Sequence, residues 1–274
     1  MILSGKEVAD EILALVTKTI SDHQLQPLLA VVQVGTDPAS EIYVKQKMRV
    51  AESVGIRVEL LHLATASTDE LIAHIQTLNA RVDVNAILVQ LPLPQTIDSQ
   101  TVISAIDPRK DVDGFHPENI TAYTSGRAAH TPVLVQAVEW LMAKTSVPLK
   151  EKNAVIIGKS DVFLQPLTYM LSKYGAQVSW TRPPDIDRDA IKNADVLVVA
   201  VGSPYLITGD MIKAGAIVID IGINRMDNGS VIGDVAFEGA VAHAGWITPT
   251  PGGVGPVTIA AVMWNTLRLT LDFA

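Results

Sequence analysis

Apolar and polar residues follow two recurring patterns along the chain. Short apolar runs of strand length alternate with longer stretches in which apolar residues recur at helical spacing. The runs that predict strands are Leu28–Val34, Ile56–Leu63, Ala86–Leu91, Ala154–Ile157, Val178–Trp180, Val196–Val201 and Ala216–Ile221. Strands that alternate with helices predict an α/β fold with largely parallel sheets.

Local signals predict where several helices begin and end. Ser67 followed by Glu70 matches a capping box, and Gly55 and Gly175 stand where helices should stop. Further helices are expected over Thr131–Thr145, Val162–Tyr174 and Ile259–Leu271.

The order of these elements predicts two α/β lobes around a cleft, the second a Rossmann-like doubly wound parallel sheet. Residues 1–120 should form the first lobe, which the C-terminal helix over 256–274 completes. A linking helix region over 121–145 should lead into the second lobe over 146–255.

Composition excludes several classes of protein. Of the 274 residues, 48% are hydrophobic and 18% are charged, which is ample for a core, and there is no cysteine for disulfides or thiolate metal sites. The six histidines lack metal-ligand spacing, and no segment approaches the roughly 20 apolar residues of a membrane span. A net charge of −8 disfavours a nucleic-acid surface. We therefore expect a cytoplasmic protein with no metal, membrane or nucleic-acid partner.

Residues 249–258 contain three glycines among three prolines, immediately before an apolar helix. Proline restricts the backbone and glycine opens conformations closed to other residues, so the segment predicts one irregular path beside a helix start. A ligand-binding loop and a rigid connector both fit this pattern.

Tyr43 and Lys47 stand four residues apart in a segment expected to be helical, so ring and amine share one face. This arrangement suits a binding site, although an exposed pair on a solvated helix has the same spacing. Gln90 ends a buried strand, where open α/β sheets place ligand groups. Its neutral amide either orients Lys47 without holding it as ammonium, or simply caps the strand.

The segment Lys110–Gly114 places Asp111 and Asp113 before a glycine turn. It offers too few ligands for a metal, whereas a carboxylate can accept two N–H groups from an amidine-like heterocycle. An Asx-type turn is the alternative, which we favour for Asp111.

Asn153–Gly158 leads from a strand into a helix, the context of a dinucleotide-phosphate site. Gly158 and Ser160 suit the turn, but a single glycine also fits an ordinary strand-to-helix turn. Lys159 and Arg182 suit a ribose 2′-phosphate, and no acid stands where it would bind a 2′-hydroxyl. These residues favour NADP over NAD.

Five motifs occur in order along essentially the whole chain. They are Tyr43–Lys47, Leu88–Pro94, Lys110–Gly114, Gly215–Asn224 with Gly233–Val235, and Pro251–Pro256. On these motifs the sequence resembles the bifunctional methylenetetrahydrofolate dehydrogenase/methenyltetrahydrofolate cyclohydrolase (FolD) family. The resemblance implies a homodimer of one-carbon metabolism that binds folate in the cleft. It also implies NADP-dependent oxidation of 5,10-methylenetetrahydrofolate, followed by hydrolysis of the methenyl product to 10-formyltetrahydrofolate.

The resemblance assigns roles by position. Lys47 takes the place of the catalytic lysine, and Gln90 that of its orienting partner. Asp113 takes the place of the carboxylate that holds the pterin, with Tyr43 beside the aromatic part of the folate. The folate-facing loop residues are Pro251, Gly252 and Gly253, and the cofactor-binding positions are Gly158, Lys159, Ser160, Thr181, Arg182 and Ile223.

Three departures from the family pattern leave alternatives open. Phe163 and Leu164 replace a valine and a glycine in the phosphate turn, Ala129–Leu134 lacks the usual cysteine and glycine, and Val257 replaces a methionine. Either the dinucleotide binds with an adjusted loop, or the protein is a cyclohydrolase-dominant variant with weak or lost dehydrogenase activity. A non-catalytic folate-binding paralogue is the remaining alternative.

Overall fold

The apolar runs form two separate parallel sheets in the computed structural model, which describes residues 1–128 and 130–273. Ala129, in a segment that departs from the family pattern, lies outside the described residues. The strand over Leu28–Val34 has its predicted bounds, and the other predicted strands differ by one or two residues at one or both ends. The prediction of an α/β fold is confirmed.

Two units make up the chain. The three-stranded lobe comprises Asp10–Val133 and the residues from Ile259 onward. The five-stranded lobe comprises Met1–Ala9 and Leu134–Thr258.

The three-stranded lobe is built on a parallel sheet in the order β2-β1-β3. From the start of the chain, the elements are α1 (Gly5–Asp22), β1 (Leu28–Val34), α2 (Pro38–Ser53), β2 (Arg57–Leu63), α3 (Thr68–Ala80), β3 (Ala86–Val89), α4 (Ser99–Ser104) and α5 (Pro117–Thr124). Alternate residues of β1, from Leu28 to Val34, form a core with α3 and α4, while α2 packs against β1 and β2. The capping box of Ser67 and Glu70 is present, and Gly55 ends α2 with a φ of +87°.

The five-stranded lobe has a parallel sheet in the order β10-β7-β6-β4-β5, beside a two-stranded hairpin of β8 and β9. Its elements are α6 (Val133–Thr145), β4 (Asn153–Gly158), α7 (Asp161–Lys173), β5 (Gln177–Thr181), α8 (Arg188–Asn193), β6 (Val196–Ala200), a 3₁₀ turn (Gly209–Met211), β7 (Ile217–Asp220), β8 (Asn224–Arg225), β9 (Val231–Ile232), α9 (Phe237–Ala240) and β10 (Trp246–Ile247). The last helix, α10 (Val254–Phe273), begins in this lobe, and its residues from Ile259 onward belong to the three-stranded lobe. The chain moves from β4 to β5 on one side and then to β6 on the other. The strand order therefore reverses between β4 and β6, where doubly wound sheets bind ligands.

The predicted position of the chain's first residues is wrong. Residues 1–9 group with the five-stranded lobe because their backbone extends the sheet edge beside β10. Leu3 N donates to Ile247 O at 2.8 Å, and Gly5 N donates to Gly252 O at 2.9 Å. These hydrogen bonds are made by the backbone, so side-chain patterns gave no sign of them.

The start of the final helix also differs from the prediction. α10 begins at Val254, inside the Pro/Gly segment that we expected to be irregular, rather than at Ile259. Pro256 fits there because N–H groups in a helix's first turn have no partner within the helix.

Leu164 lies near the start of α7 and is 2% exposed. A Cβ added to Gly158 would lie 3.2 Å from a methyl carbon of Leu164, so the leucine packs directly against the end of β4. The residue that replaces the family's glycine is therefore a core residue of this lobe. Within the described part of the chain, no helix is long and apolar enough to cross a membrane.

We predict that Leu164→Ala lowers the free energy of unfolding by about 2–5 kcal/mol, because loss of a buried leucine leaves a cavity. Chemical denaturation measures the difference. Val82→Ala is the control: Val82 is 97% exposed, so its truncation should change the free energy by less than about 0.5 kcal/mol. Equal effects of the two substitutions would contradict a core role for Leu164.

Candidate active site

One face of α2 carries three polar residues at helical spacing. Ser40, Tyr43 and Lys47 are separated by three and four residues, so their side chains lie along the same side of the helix. Asp37 fixes the start of the helix, because its carboxylate accepts the backbone N–H of Ser40 at 2.8 Å. The start of α2 therefore sets the positions of the Tyr43 ring and the Lys47 amine.

Lys47 and Gln90 meet at the carboxyl end of β3. Lys47 Nζ donates to Gln90 Oε1 at 3.0 Å. Gln90 Nε2 donates to the carbonyl oxygen of Leu91, which turns the amide oxygen toward the lysine. Gln90 N also donates to Val32 O at 2.8 Å, so the glutamine continues the pairing of β3 with β1. The sheet thus places a neutral acceptor opposite the amine.

Burial controls the protonation of this region. Desolvation lowers the pKa of the Lys47 amine, and the nearby Asp113 carboxylate opposes that shift. Desolvation also raises the pKa of Asp113 to about 6, where Lys47 opposes the shift and Asp111 reinforces it. Both groups therefore change charge closer to neutral pH than they do in water, which suits an acid–base site.

The backbone around Asp113 is held within the three-stranded lobe by its last helix. Asn265 of α10 donates through Nδ2 to the carbonyl oxygens of Val112 and Thr131, both at 3.0 Å. Val133 N donates to the carbonyl oxygen of Asp113, also at 3.0 Å. These hydrogen bonds fix the position of Asp113 without using its carboxylate.

Asp111 has a structural role instead. Its carboxylate accepts the N–H groups of Gly114 at 3.1 Å and His116 at 2.7 Å. It also accepts Nδ2 of Asn119 at 2.9 Å. The turn predicted for Asp111 is confirmed, and its oxygens are occupied by internal donors. Among the described residues, no group of three histidine or acidic side chains is placed to hold a metal ion.

Two buried polar side chains of this lobe were missed by the sequence analysis. Gln33 Nε2, in β1, and Ser40 Oγ, in α2, have no hydrogen-bond partner among the described residues. An unpaired buried polar atom costs free energy, so both atoms are candidates to meet a ligand. The sequence contains a signal for each residue. Gln33 interrupts an apolar strand, and Ser40 shares the helical spacing of Tyr43 and Lys47.

The turn after β4 has the strand-to-helix geometry that the sequence indicates. Gly158 ends β4, Lys159 is exposed, and Ser160 occupies the N-cap position of α7. Gly158 pairs in register with Ala200, the last residue of β6. The turn therefore lies at the point where the strand order reverses.

At the end of β5, Thr181 and Arg182 have different surroundings. The Thr181 hydroxyl lies 3.0 Å from each of two backbone atoms of the turn over 185–187, so it supports that turn. The Arg182 guanidinium lies 4.9 Å from the centre of the Trp180 ring and pairs with Asp161. Its Nε is buried without a partner among the described residues. A donor of this kind fits an anionic ligand such as a phosphate group.

The remaining candidate residues also belong to the five-stranded lobe. Ile223 is exposed beside the β8–β9 hairpin. Gly252 has a φ of +102°, and a Cβ on Gly253 would lie 2.5 Å from Pro249 O. Internal packing therefore requires glycine at position 253. The rigid-connector interpretation applies to this part of the segment over residues 249–258.

Two family models match the chain, one for each half. The catalytic-domain model of tetrahydrofolate dehydrogenase/cyclohydrolase matches residues 3–113, and the NAD(P)-binding-domain model of the same family matches residues 132–273. The chain belongs to the tetrahydrofolate dehydrogenase/cyclohydrolase family. The resemblance stated from the motifs is confirmed, and the turn after β4 lies in the family's NAD(P)-binding domain.

Members of this family resemble the chain over nearly its whole length. The bifunctional protein FolD of Moorella thermoacetica is 45% identical over 97% of this chain and 97% of its own. The FolD protein of Xanthomonas axonopodis pv. citri is 42% identical over 97% of this chain and 91% of its own. The solved bifunctional FolD of Campylobacter jejuni has a TM-score of 0.94 at 38% identity and covers 99% of both chains. Trypanosoma brucei FolD, solved with NADP cofactor and inhibitor, has a TM-score of 0.95 at 30% identity, over 99% of this chain and 97% of that one.

We predict that Asn265→Leu lowers the free energy of unfolding by about 1–3 kcal/mol, because two carbonyl oxygens lose their donor. Denaturation midpoints measure the change. Arg268→Leu introduces the same side chain at an exposed position of α10 and is the matched control. If both variants unfold at the same denaturant concentration, Asn265 does not anchor the Asp113 segment.

Proposed function

We propose that the protein oxidises 5,10-methylenetetrahydrofolate to 5,10-methenyltetrahydrofolate with NADP, and hydrolyses the product to 10-formyltetrahydrofolate. The observation that carries this proposal is the half-buried Lys47 amine, whose pKa desolvation lowers and whose Nζ donates to the neutral amide of Gln90 at 3.0 Å. Family membership over both lobes supports the two activities together. It favours them over the cyclohydrolase-dominant and non-catalytic alternatives.

Lys47 handles the proton in the hydrolytic reaction. As a free base, Nζ accepts a proton from the water that attacks the methenyl carbon, and as ammonium it returns that proton to the ring nitrogen whose bond to this carbon breaks. The remaining hydroxyl proton is released to solvent as the formyl C=O bond forms. A carboxylate in place of Gln90 would hold the ammonium form, whereas the amide orients the amine in either form. Tyr43, one turn earlier on α2, lies beside the aromatic part of the folate.

Asp113 binds the substrate. Its carboxylate accepts two N–H groups of the pterin, a two-donor match to two oxygens. The backbone anchors from Asn265 and Val133 support this role, because they leave the side chain's oxygens for the ligand. The unpaired atoms of Gln33 and Ser40 are further polar groups available to substrate in this lobe.

The dinucleotide binds at the carboxyl edge of the five-stranded sheet. NADP bound there would supply the hydride acceptor for oxidation of the one-carbon unit. The N–H groups of the turn over Gly158, Lys159 and Ser160 receive its phosphates. The charge of Lys159 and the unpaired Nε of Arg182 favour a 2′-phosphate, with Thr181 supporting the turn beside Arg182 and Ile223 contacting the cofactor.

Three further features rest on the resemblance alone. The loop residues Pro251, Gly252 and Gly253 approach the folate. The protein acts as a homodimer, and it acts in the cytoplasm.

The purified protein should catalyse both reactions, measured separately as loss of methenyltetrahydrofolate absorbance and as NADP reduction. Lys47→Ala should lower the rate of hydrolysis by roughly 10²–10⁴-fold, since it removes the general acid–base group. Lys45→Ala is the control, because Lys45 is an exposed lysine on the same helix. A folded Lys47→Ala protein with hydrolysis within about threefold of the parent would exclude this role.

Asp113→Asn should weaken folate binding by about 1–3 kcal/mol, because an amide cannot accept from both pterin donors. In the parent, affinity should fall as the pH drops through about 6, where Asp113 takes up a proton and loses its acceptor capacity. That dependence should disappear in the variant. Calorimetry with a non-reacting tetrahydrofolate analogue, with exposed Asp69→Asn as control, measures both effects. If the parent and the Asp113→Asn variant bind the analogue with equal affinity across this pH range, the pterin contact lies elsewhere.

A further inference from the structure

A buried carboxylate in the five-stranded lobe lies outside the proposed chemistry. Asp234 follows β9 and is 0% exposed. Its Oδ2 accepts the backbone N–H groups of Val201 at 2.7 Å and Gly202 at 2.9 Å, and its Oδ1 accepts that of Ser203 at 2.7 Å. Three consecutive N–H groups around one anion form a nest, which here is filled by an internal carboxylate instead of a ligand.

The same carboxylate also holds a second loop. Asn224 Nδ2 donates to Asp234 Oδ1 at 2.9 Å. Asn224 is the first residue of β8 and ends the connection that follows β7. Asp234 therefore joins the loop after β6 to the loop after β7 through four hydrogen bonds.

A second aspartate fixes Asp234 in turn. Asp220, at the end of β7, accepts the backbone N–H groups of Asp234 at 3.1 Å and Val235 at 2.9 Å. A Cβ on Gly222 would lie 2.2 Å from the Asp234 carboxyl carbon, and one on Gly233 would lie 1.8 Å from Asp220 Oδ2. Only glycine at these two positions permits the approach of loop and carboxylate.

The hydrogen bonds of Asp234 and Asp220 lie beside the end of β6, and this location indicates their function. Val201 follows Ala200, which pairs with Gly158 across the point where the strand order reverses. A Cβ on Gly158 would lie 3.7 Å from the Ala200 carbonyl oxygen, so the two strand ends are in close contact. The loop held by Asp234 thus forms the β6 side of the crevice whose β4 side is the phosphate turn.

We propose that Asp234 is a positioning residue for the dinucleotide: it fixes the loops after β6 and β7 in the shape that the cofactor requires. This inference rests on the proposed dehydrogenase activity. Because the N–H groups of 201–203 are already satisfied, this loop contributes shape and side chains, and the phosphates bind at the turn after β4. Folate hydrolysis, whose proposed acid–base group Lys47 and its partner Gln90 lie in the three-stranded lobe, does not depend on Asp234.

Asp234→Asn tests the proposal, since it keeps the side chain's shape and replaces one acceptor oxygen by an NH₂ group that faces N–H donors. The dissociation constant and KM for NADP should rise at least about tenfold, because buried donors lose their partner. The maximal rate at saturating NADP and the rate of methenyl hydrolysis should stay near the parent values. Asp227→Asn, on the exposed turn between β8 and β9, is the matched control and should change neither quantity.

A second variant keeps the test decisive if Asp234→Asn fails to fold. Gly202 has a φ of +69°, and a Cβ there meets no atom within 4 Å, so Gly202→Ala strains only the loop. It should raise the dissociation constant for NADP about fivefold or more. Unchanged NADP binding in a folded Asp234→Asn protein, or in Gly202→Ala if the first variant is unfolded, overturns the inference and leaves the proposed function intact. A parent that binds no NADP overturns the dehydrogenase activity and this inference together.

Discussion

The proposed chemistry of this protein depends on the hydrogen bond between the Lys47 amine and the Gln90 amide. A buried lysine that faced a carboxylate at the same distance would remain ammonium, and its proton would be unavailable at neutral pH. The amide satisfies the amine and adds no charge, so burial can lower the pKa of the lysine. The nearby Asp113 limits that shift and is itself affected, because burial raises its pKa to about 6.

Elsewhere in the structure, buried polar side chains form hydrogen bonds with backbone groups and so fix the position of the backbone. Asn265 anchors the carbonyl groups beside Asp113, and Asp234 gathers the loops at the carboxyl edge of the five-stranded sheet. Lys110 does the same at the end of α3, where Nζ donates to the carbonyl oxygens of Asn79 at 2.8 Å and Arg81 at 2.6 Å. Buried charged groups are tolerated at these positions because each meets several partners.

Sequence reasoning predicted β1, β3, β6 and β7 well because these strands are largely apolar and buried over nearly their whole length in parallel sheets, whereas β2 and β5 are partly exposed. It found Lys47, Gln90 and Asp113 because helix spacing, strand ends and a motif each mark one of them. It assigned no role to the side chains of Asn265 and Lys110, whose partners are backbone carbonyls far away in the chain and leave no side-chain pattern. It also treated Leu164 only as a changed phosphate-turn residue, because sequence alone does not show that the side chain packs into the core beside Gly158.

The central claim is that Lys47 carries a titratable amine whose pKa is lowered by burial beside a neutral partner. A ¹³C NMR titration of the Lys47 side chain in the purified protein tests it most directly, with resonance assignment by comparison with Lys47→Arg. We predict a midpoint below the ordinary lysine value of about 10.4. A midpoint at or above that value would contradict it, because Lys47 would then be a permanent cation and the neutral amide of Gln90 would have no bearing on its proton.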